Sequence, residues 1–133
     1  MTPELDRIDH LHVYVTDRNA AESWYSDVLG LSRVDALLAW ATKDGPLVLG
    51  NPEGNVHVAL FERPNLPEKS SAAFGASGGQ FLAWKSHLEK KGLQPRVADH
   101  DLAYSMYFTD PDGNLHEITT YDHHVVRNAL QAA

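Results

Sequence analysis

Tyr104–Tyr121, YSMYFTDPDGNLHEITTY, is the stretch on which the reading of the fold turns. A β-rich run, Tyr104–Thr109, enters the turn Asp110-Pro111-Asp112-Gly113, and a second run, Leu115–Tyr121, leaves it. Proline presets φ at the second turn position and glycine supplies a site with φ > 0, so the stretch predicts one hairpin. Side chains alternate along a strand, which puts Leu115, Glu117 and Thr119 on one face. A carboxylate on a half-buried strand needs a cation, a metal or a set of donors. A rim-exposed glutamate or a salt bridge is the plainer alternative.

Working outward, residues 8–15 alternate cleanly, with Leu11, Val13 and Val15 on one face and His10, His12 and Tyr14 on the other. This predicts a strand with one greasy side and one side suited to a wet pocket. Asp17 or Asn19 can cap a helix whose face is Ala21, Trp24, Tyr25, Val28 and Leu29, and Gly30 stops it. Leu31–Thr42 reads as a long β-prone run. A turn at residues 43–46, a short strand Leu47–Leu49, a turn at 51–55 and a strand Val56–Phe61 follow, the last with His57, Ala59 and Phe61 on one side. Residues 62–71, ERPNLPEKSS, read as a linker. The pattern then restarts: a strand at Ala72–Ala76, a capping box at Ser77–Gln80, a helix with Phe81, Trp84, Lys85 and Leu88 on one face and Gly92 at its end, a strand at Pro95–Ala98, and the hairpin.

The chain is thus a weak internal repeat. Leu29-Gly30-Leu31-Ser32-Arg33-Val34 echoes Lys91-Gly92-Leu93-Gln94-Pro95-Arg96-Val97 at the two helix ends. The expected fold is α+β: one domain of two paired βαβββ modules, about 7–62 and 72–122, joined by a linker at 63–71 and followed by a tail at 123–133. The paired modules should form a curved mixed sheet around a cavity, with helices outside.

Composition narrows the partners. The 133 residues are 43% hydrophobic and 22% charged, ordinary for a globular domain with a real core. Zero cysteines exclude disulfides, thiolate ligation and a cysteine nucleophile. A net charge of −7 argues against nucleic acid or an anionic membrane as partner. No apolar run approaches the ~20 residues that span a bilayer, and the first residues show no signal-peptide pattern, so a cytoplasmic location is the default expectation.

Three pieces resemble the vicinal oxygen chelate superfamily, which includes glyoxalase I, type I extradiol dioxygenases, fosfomycin-resistance enzymes and bleomycin-resistance proteins. Residues 8–17, IDHLHVYVTD, resemble its first-strand motif, which opens with a metal-binding His. Residues 24–31, WYSDVLGL, resemble its helix end. Residues 105–117, SMYFTDPDGNLHE, resemble its last hairpin, whose Glu is a ligand. Together these pieces span nearly the whole chain, and they specify the fold better than the reaction.

The resemblance implies His10 and Glu117 as metal ligands. Its second histidine, expected on the fifth strand, is absent from Lys69-Ser70-Ser71-Ala72, and Ala59 stands where glyoxalase I has a Glu. His57 is the candidate third ligand and His12 its competitor. Tyr107 matches an active-site tyrosine, and His100 stands near the position of an acid/base histidine in the dioxygenases. His12, Tyr14, Phe61 and Ser105 are expected to line the substrate pocket. The remaining histidines read as bland: His87 and His116 on outer faces, His123-His124 at a solvated helix start. Trp24 and Trp84 read as packing.

The implied function is metal-dependent, led by extradiol-type dioxygenation of a catechol-like molecule held through two adjacent oxygens. The implied ion is Fe2+ first, with Mn2+, Zn2+ or Ni2+ as alternatives. A glyoxalase I-like lyase and a metal-free protein sequestering an aromatic ligand are the competing readings. A small-molecule substrate and a homodimer are the expected partners.

Overall fold

The computed structural model describes residues 2–5, 7–65 and 69–132. The chain falls into two compact units, Met1–Glu68 and Lys69–Ala133. Leu66–Glu68 of the expected linker lie outside the described residues.

The first unit runs β1 (Leu11–Val15), α1 (Arg18–Leu29), β2 (Ser32–Arg33), a 3₁₀ turn (Asp35–Trp40), β3 (Leu47–Gly50) and β4 (His57–Glu62). Its four strands lie in the order β1-β4-β3-β2. β1 pairs in parallel with β4, His12 opposite Ala59 and Tyr14 opposite Phe61. β3 pairs antiparallel with β4, Gly50 opposite His57. Alternation then sends Val13, Val15, Leu47, Leu49, Val58 and Leu60 into a core closed by Ala21, Tyr25 and Leu31. Asp17 starts α1 by accepting the Ala20 N–H at 3.0 Å. Gly30 ends it at φ +70°, a left-handed site that glycine occupies without a Cβ penalty.

The expected strand over Leu31–Thr42 is not there. Only Ser32–Arg33 pairs, with Leu49 and Gly50. Residues 35–40, DALLAW, coil instead, because Ala and Leu in succession carry no period-2 alternation and favour helical backbone. Arg18 fastens the segment that follows, donating to the carbonyls of Ala41, Thr42 and Gly45.

The second unit repeats the plan: β5 (Ser71–Gly75), α2 (Gly78–Lys90), β6 (Arg96–Asp99), β7 (Tyr104–Thr109), β8 (Leu115–Thr120) and α3 (His123–Ala132). Its strands lie in the order β5-β8-β7-β6. Ser77 accepts the Gln80 N–H and opens α2. The β7–β8 turn is held by Asp110, whose Oδ1 accepts the N–H groups of Asp112 and Asn114, while Gly113 sits at φ +84°. Asn114 in turn accepts the Ser70 N–H at 2.8 Å, which brings the start of β5 beside β8.

Three expectations need correction here. His116, expected on an outer face, is fully buried among Ile118, Met106 and Phe108, with its ring against Phe74 and Phe108 at 5.9 and 5.7 Å. It does lie opposite Glu117 in parity, but α2 packs over that face of β8 and makes it the core. The expected tail is α3, which docks on α2. Asp122 accepts the Gly78 N–H at 2.7 Å, and a Cβ at Gly78 would meet Val125 and Asp122 at 2.9 Å. His123 is no solvated helix start: it contacts Asp99 at 2.7 Å and stacks on Tyr104 at 4.7 Å. That contact holds the Asp99 carboxyl below its usual range, while burial pushes the Tyr104 phenol up.

Candidate active site

Each unit exposes one polar sheet face, and the singled-out residues divide between the two. In the second unit the register sets Tyr107 opposite Glu117 and Ser105 opposite Thr119. Ser105 and Thr119 both donate to Oε2 of Glu117, each at 2.7 Å. The Thr119 hydroxyl, then that of Ser105, the charge of His100 and the Tyr107 hydroxyl hold the Glu117 carboxyl below its ordinary range against the opposing effect of burial. Glu117 is therefore an anion fixed in orientation, better suited to ligation than to taking up protons.

The Tyr107 hydroxyl also lies 2.9 Å from Nε2 of His100. His100 stands at the head of a tight turn in which Asp101 takes φ +65°, an uncommon backbone for a residue with a Cβ. Its own N–H donates to Ala103 O at 2.8 Å. Arg96, opposite Tyr107 on β6, places its guanidinium over the phenol ring at 4.5 Å. Glu117, Ser105, Tyr107 and His100 are thus brought together in this unit. Arg96 and Thr119 were not singled out as site residues; strand parity puts Thr119 on the Glu117 face, whereas Arg96 needed the β6–β7 register.

In the first unit the expected pocket residues do meet. The His12 ring lies 4.8 Å from Phe61, and Tyr14 lies 5.8 Å from it. Arg63 sits over the outer part of the same cluster, 5.4 Å from the Phe61 centroid. His10 stands just before β1, with Nδ1 2.8 Å from Oδ2 of Asp9 and Nε2 3.1 Å from Nε2 of His12. The hydrogen bond to His10 holds the Asp9 carboxyl below its usual range. His57 lies on the same face of β4 but turns its ring over β3. A Cβ at Gly50 would stand 2.9 Å from His57 Cδ2.

Each unit, taken by itself, offers a donor of a type that divalent ions accept. Glu117 is an oriented anion, and His10 carries the carboxylate behind its imidazole that commonly supports a ligating histidine. Within neither unit, among the described residues, do three His, Asp or Glu side chains converge on one point.

A doubled strand–helix–three-strand plan with a histidine at the first strand and a glutamate on the last defines a class of small α+β scaffold. The chain belongs to the Glyoxalase/Bleomycin resistance protein/Dioxygenase superfamily, which it matches over residues 7–118. It is 31% identical over 125 residues to biphenyl-2,3-diol 1,2-dioxygenase 3 of Rhodococcus globerulus, covering 84% of this chain and 62% of that enzyme. The chain therefore spans less than two thirds of that relative. It is 27% identical over 126 residues to the metallothiol transferase FosB of Staphylococcus epidermidis, covering 88% of this chain and 83% of FosB. Lactoylglutathione lyase from Agrobacterium tumefaciens shares the fold, with a TM-score of 0.72 at 22% identity over 90% of this chain and 97% of that one. No helix among the described residues is long and apolar enough to cross a membrane.

Proposed function

We propose that this chain is a metal-dependent enzyme acting as an extradiol-type dioxygenase on a small catechol-like molecule with two adjacent oxygens. One observation carries the reading: the anionic Glu117 shares a sheet face with a Tyr107 hydroxyl that is itself paired to the His100 imidazole. The dioxygenase relative supports it. His10 and Glu117 are the ligands we assign. A bound divalent ion, Fe2+ before Mn2+, Zn2+ or Ni2+, would supply Lewis-acid polarisation of the substrate oxygens and open coordination positions.

The chain's own groups do the rest. Ser105 and Thr119 keep Glu117 oriented and ionised. The Tyr107 hydroxyl is placed to hydrogen-bond a phenolic oxygen, with Arg96 over its ring fixing its plane. In its neutral form His100, whose Nε2 lies 2.9 Å from that hydroxyl, is placed to take up a phenolic proton relayed through it. His12, Tyr14 and Phe61 offer an aromatic lining for a planar ligand. We further propose a cytoplasmic homodimer, which sedimentation at micromolar concentration tests; a stable monomer overturns it.

The same His12–Phe61–Tyr14 cluster favours a second reading, metal-free capture of an aromatic ligand. Metal content separates the two. Protein purified without chelator should hold about one divalent ion per chain, and should cleave a catechol or biphenyl-2,3-diol after anaerobic Fe2+ loading. Tight aromatic binding with no metal and no ring cleavage overturns the enzymatic reading.

A further inference from the structure

We infer that His10 and His12 chelate the ion as a pair, through both Nε2 atoms, with Asp9 orienting the first. The inference rests on the metal-dependent reading and names the imidazoles that serve it. Residues two apart on a strand share a face, but nothing in strand geometry makes their ring tips meet. Here the rings lie 21° from parallel with centroids 5.1 Å apart, and their Nε2 atoms approach to 3.1 Å.

The Asp9 carboxylate accepts the proton at His10 Nδ1, so in its neutral form His10 aims the lone pair of Nε2 at His12. An ion at the usual ~2.0–2.1 Å from each nitrogen would subtend an angle of roughly 95–100° across the 3.1 Å gap, close to two adjacent sites of an octahedron.

The surroundings favour the pair over the alternatives. Ala59, opposite His12, presents only a methyl group and competes for nothing. Phe61 packs against the His12 ring at 4.8 Å and limits its rotation. The His57 ring leans over Gly50 of β3, and only its charge is felt at the Asp9 carboxylate that holds His10. In the second unit the β5 residues on the Glu117 face are Ser71, Ala73 and Gly75, none a ligating imidazole. One imidazole just before β1 and one on β1 thus stand in for a pair that the resemblance draws from separate strands.

The test is Co2+ binding to the metal-stripped full chain, followed by calorimetry and by the visible ligand-field spectrum, with a thermal melt as folding control. His10→Ala and His12→Ala should each weaken Co2+ binding by more than about 10-fold and alter the spectrum, since even losing a supporting partner typically costs 10–100-fold. Asp9→Asn should weaken it within that range, and His57→Ala should leave affinity and spectrum unchanged. Wild-type affinity and spectrum in His12→Ala, or a His57→Ala loss equal to that of His10→Ala, overturns the pairing alone. Failure of the wild-type chain to bind Co2+ overturns the metal-dependent reading with it.

Discussion

Lowering the pH from 7.5 to 5.5 should destabilise this protein through one buried side chain, His116. Its ring is fully buried between Phe74 and Phe108, and burial pulls its pKa below 6.5, with only a smaller opposing pull from the charge of Asp110. The unfolded chain protonates His116 near the ordinary value of about 6.5, while the folded chain resists. A histidine depressed in this way contributes stability that is complete above the unfolded pKa. That stability is lost as pH falls from about 6.5 toward the folded value. Where the unfolded state is protonated and the folded state is not, the slope reaches about 1.4 kcal/mol per pH unit. Urea unfolding at pH 7.5, 6.5 and 5.5 measures it, with His116→Phe as the comparison. The phenyl ring fills a similar volume beside the same two aromatics and cannot titrate. The wild-type chain should lose more than the variant between pH 6.5 and 5.5, up to a limit of about 1 kcal/mol. Parallel pH profiles for the two proteins would refute the claim that His116 is held neutral by burial.

Three further outcomes follow from the geometry. Tyr107→Phe removes the hydroxyl paired with His100 and should cut ring-cleavage turnover by about 100-fold or more with metal content unchanged; unchanged turnover would remove Tyr107 from the reaction. Gly50→Ala puts a methyl 2.9 Å from His57 Cδ2 and 3.3 Å from Val34 Cγ2; it should shift the His57 imidazole NMR signals and cost about 1–3 kcal/mol of stability. Gly78→Ala drives a methyl into Val125 and Asp122. It should speed amide exchange across residues 123–132 and lower the melting temperature, and an exchange pattern like wild type would show that α3 does not depend on this close approach.

Much of this protein was legible in its order of residues because the strands alternate. Parity alone separated His12 and Tyr14 from Val13 and Val15, and it put Glu117 with Thr119. Local chemistry likewise marked Ser77 as a cap and Gly30 as a stop, and narrowed the first cap to Asp17 or Asn19, since each acts within a few residues of itself; the structure uses Asp17. What alternation could not supply was which face a helix would cover. His116 looked external until α2 lay across β8, and burial there is a property of the packing, not of the residue. Nor could spacing fix cross-strand register, which set Arg96 over Tyr107 and both hydroxyls on one oxygen of Glu117. Residues 35–40 show the converse: within a run that reads as β-prone, a stretch without alternation follows the helical preference of its Ala and Leu residues. The approach of His10 to His12 depends on ring orientations that Asp9 and Phe61 impose, and those contacts exist only once β1 has met β4.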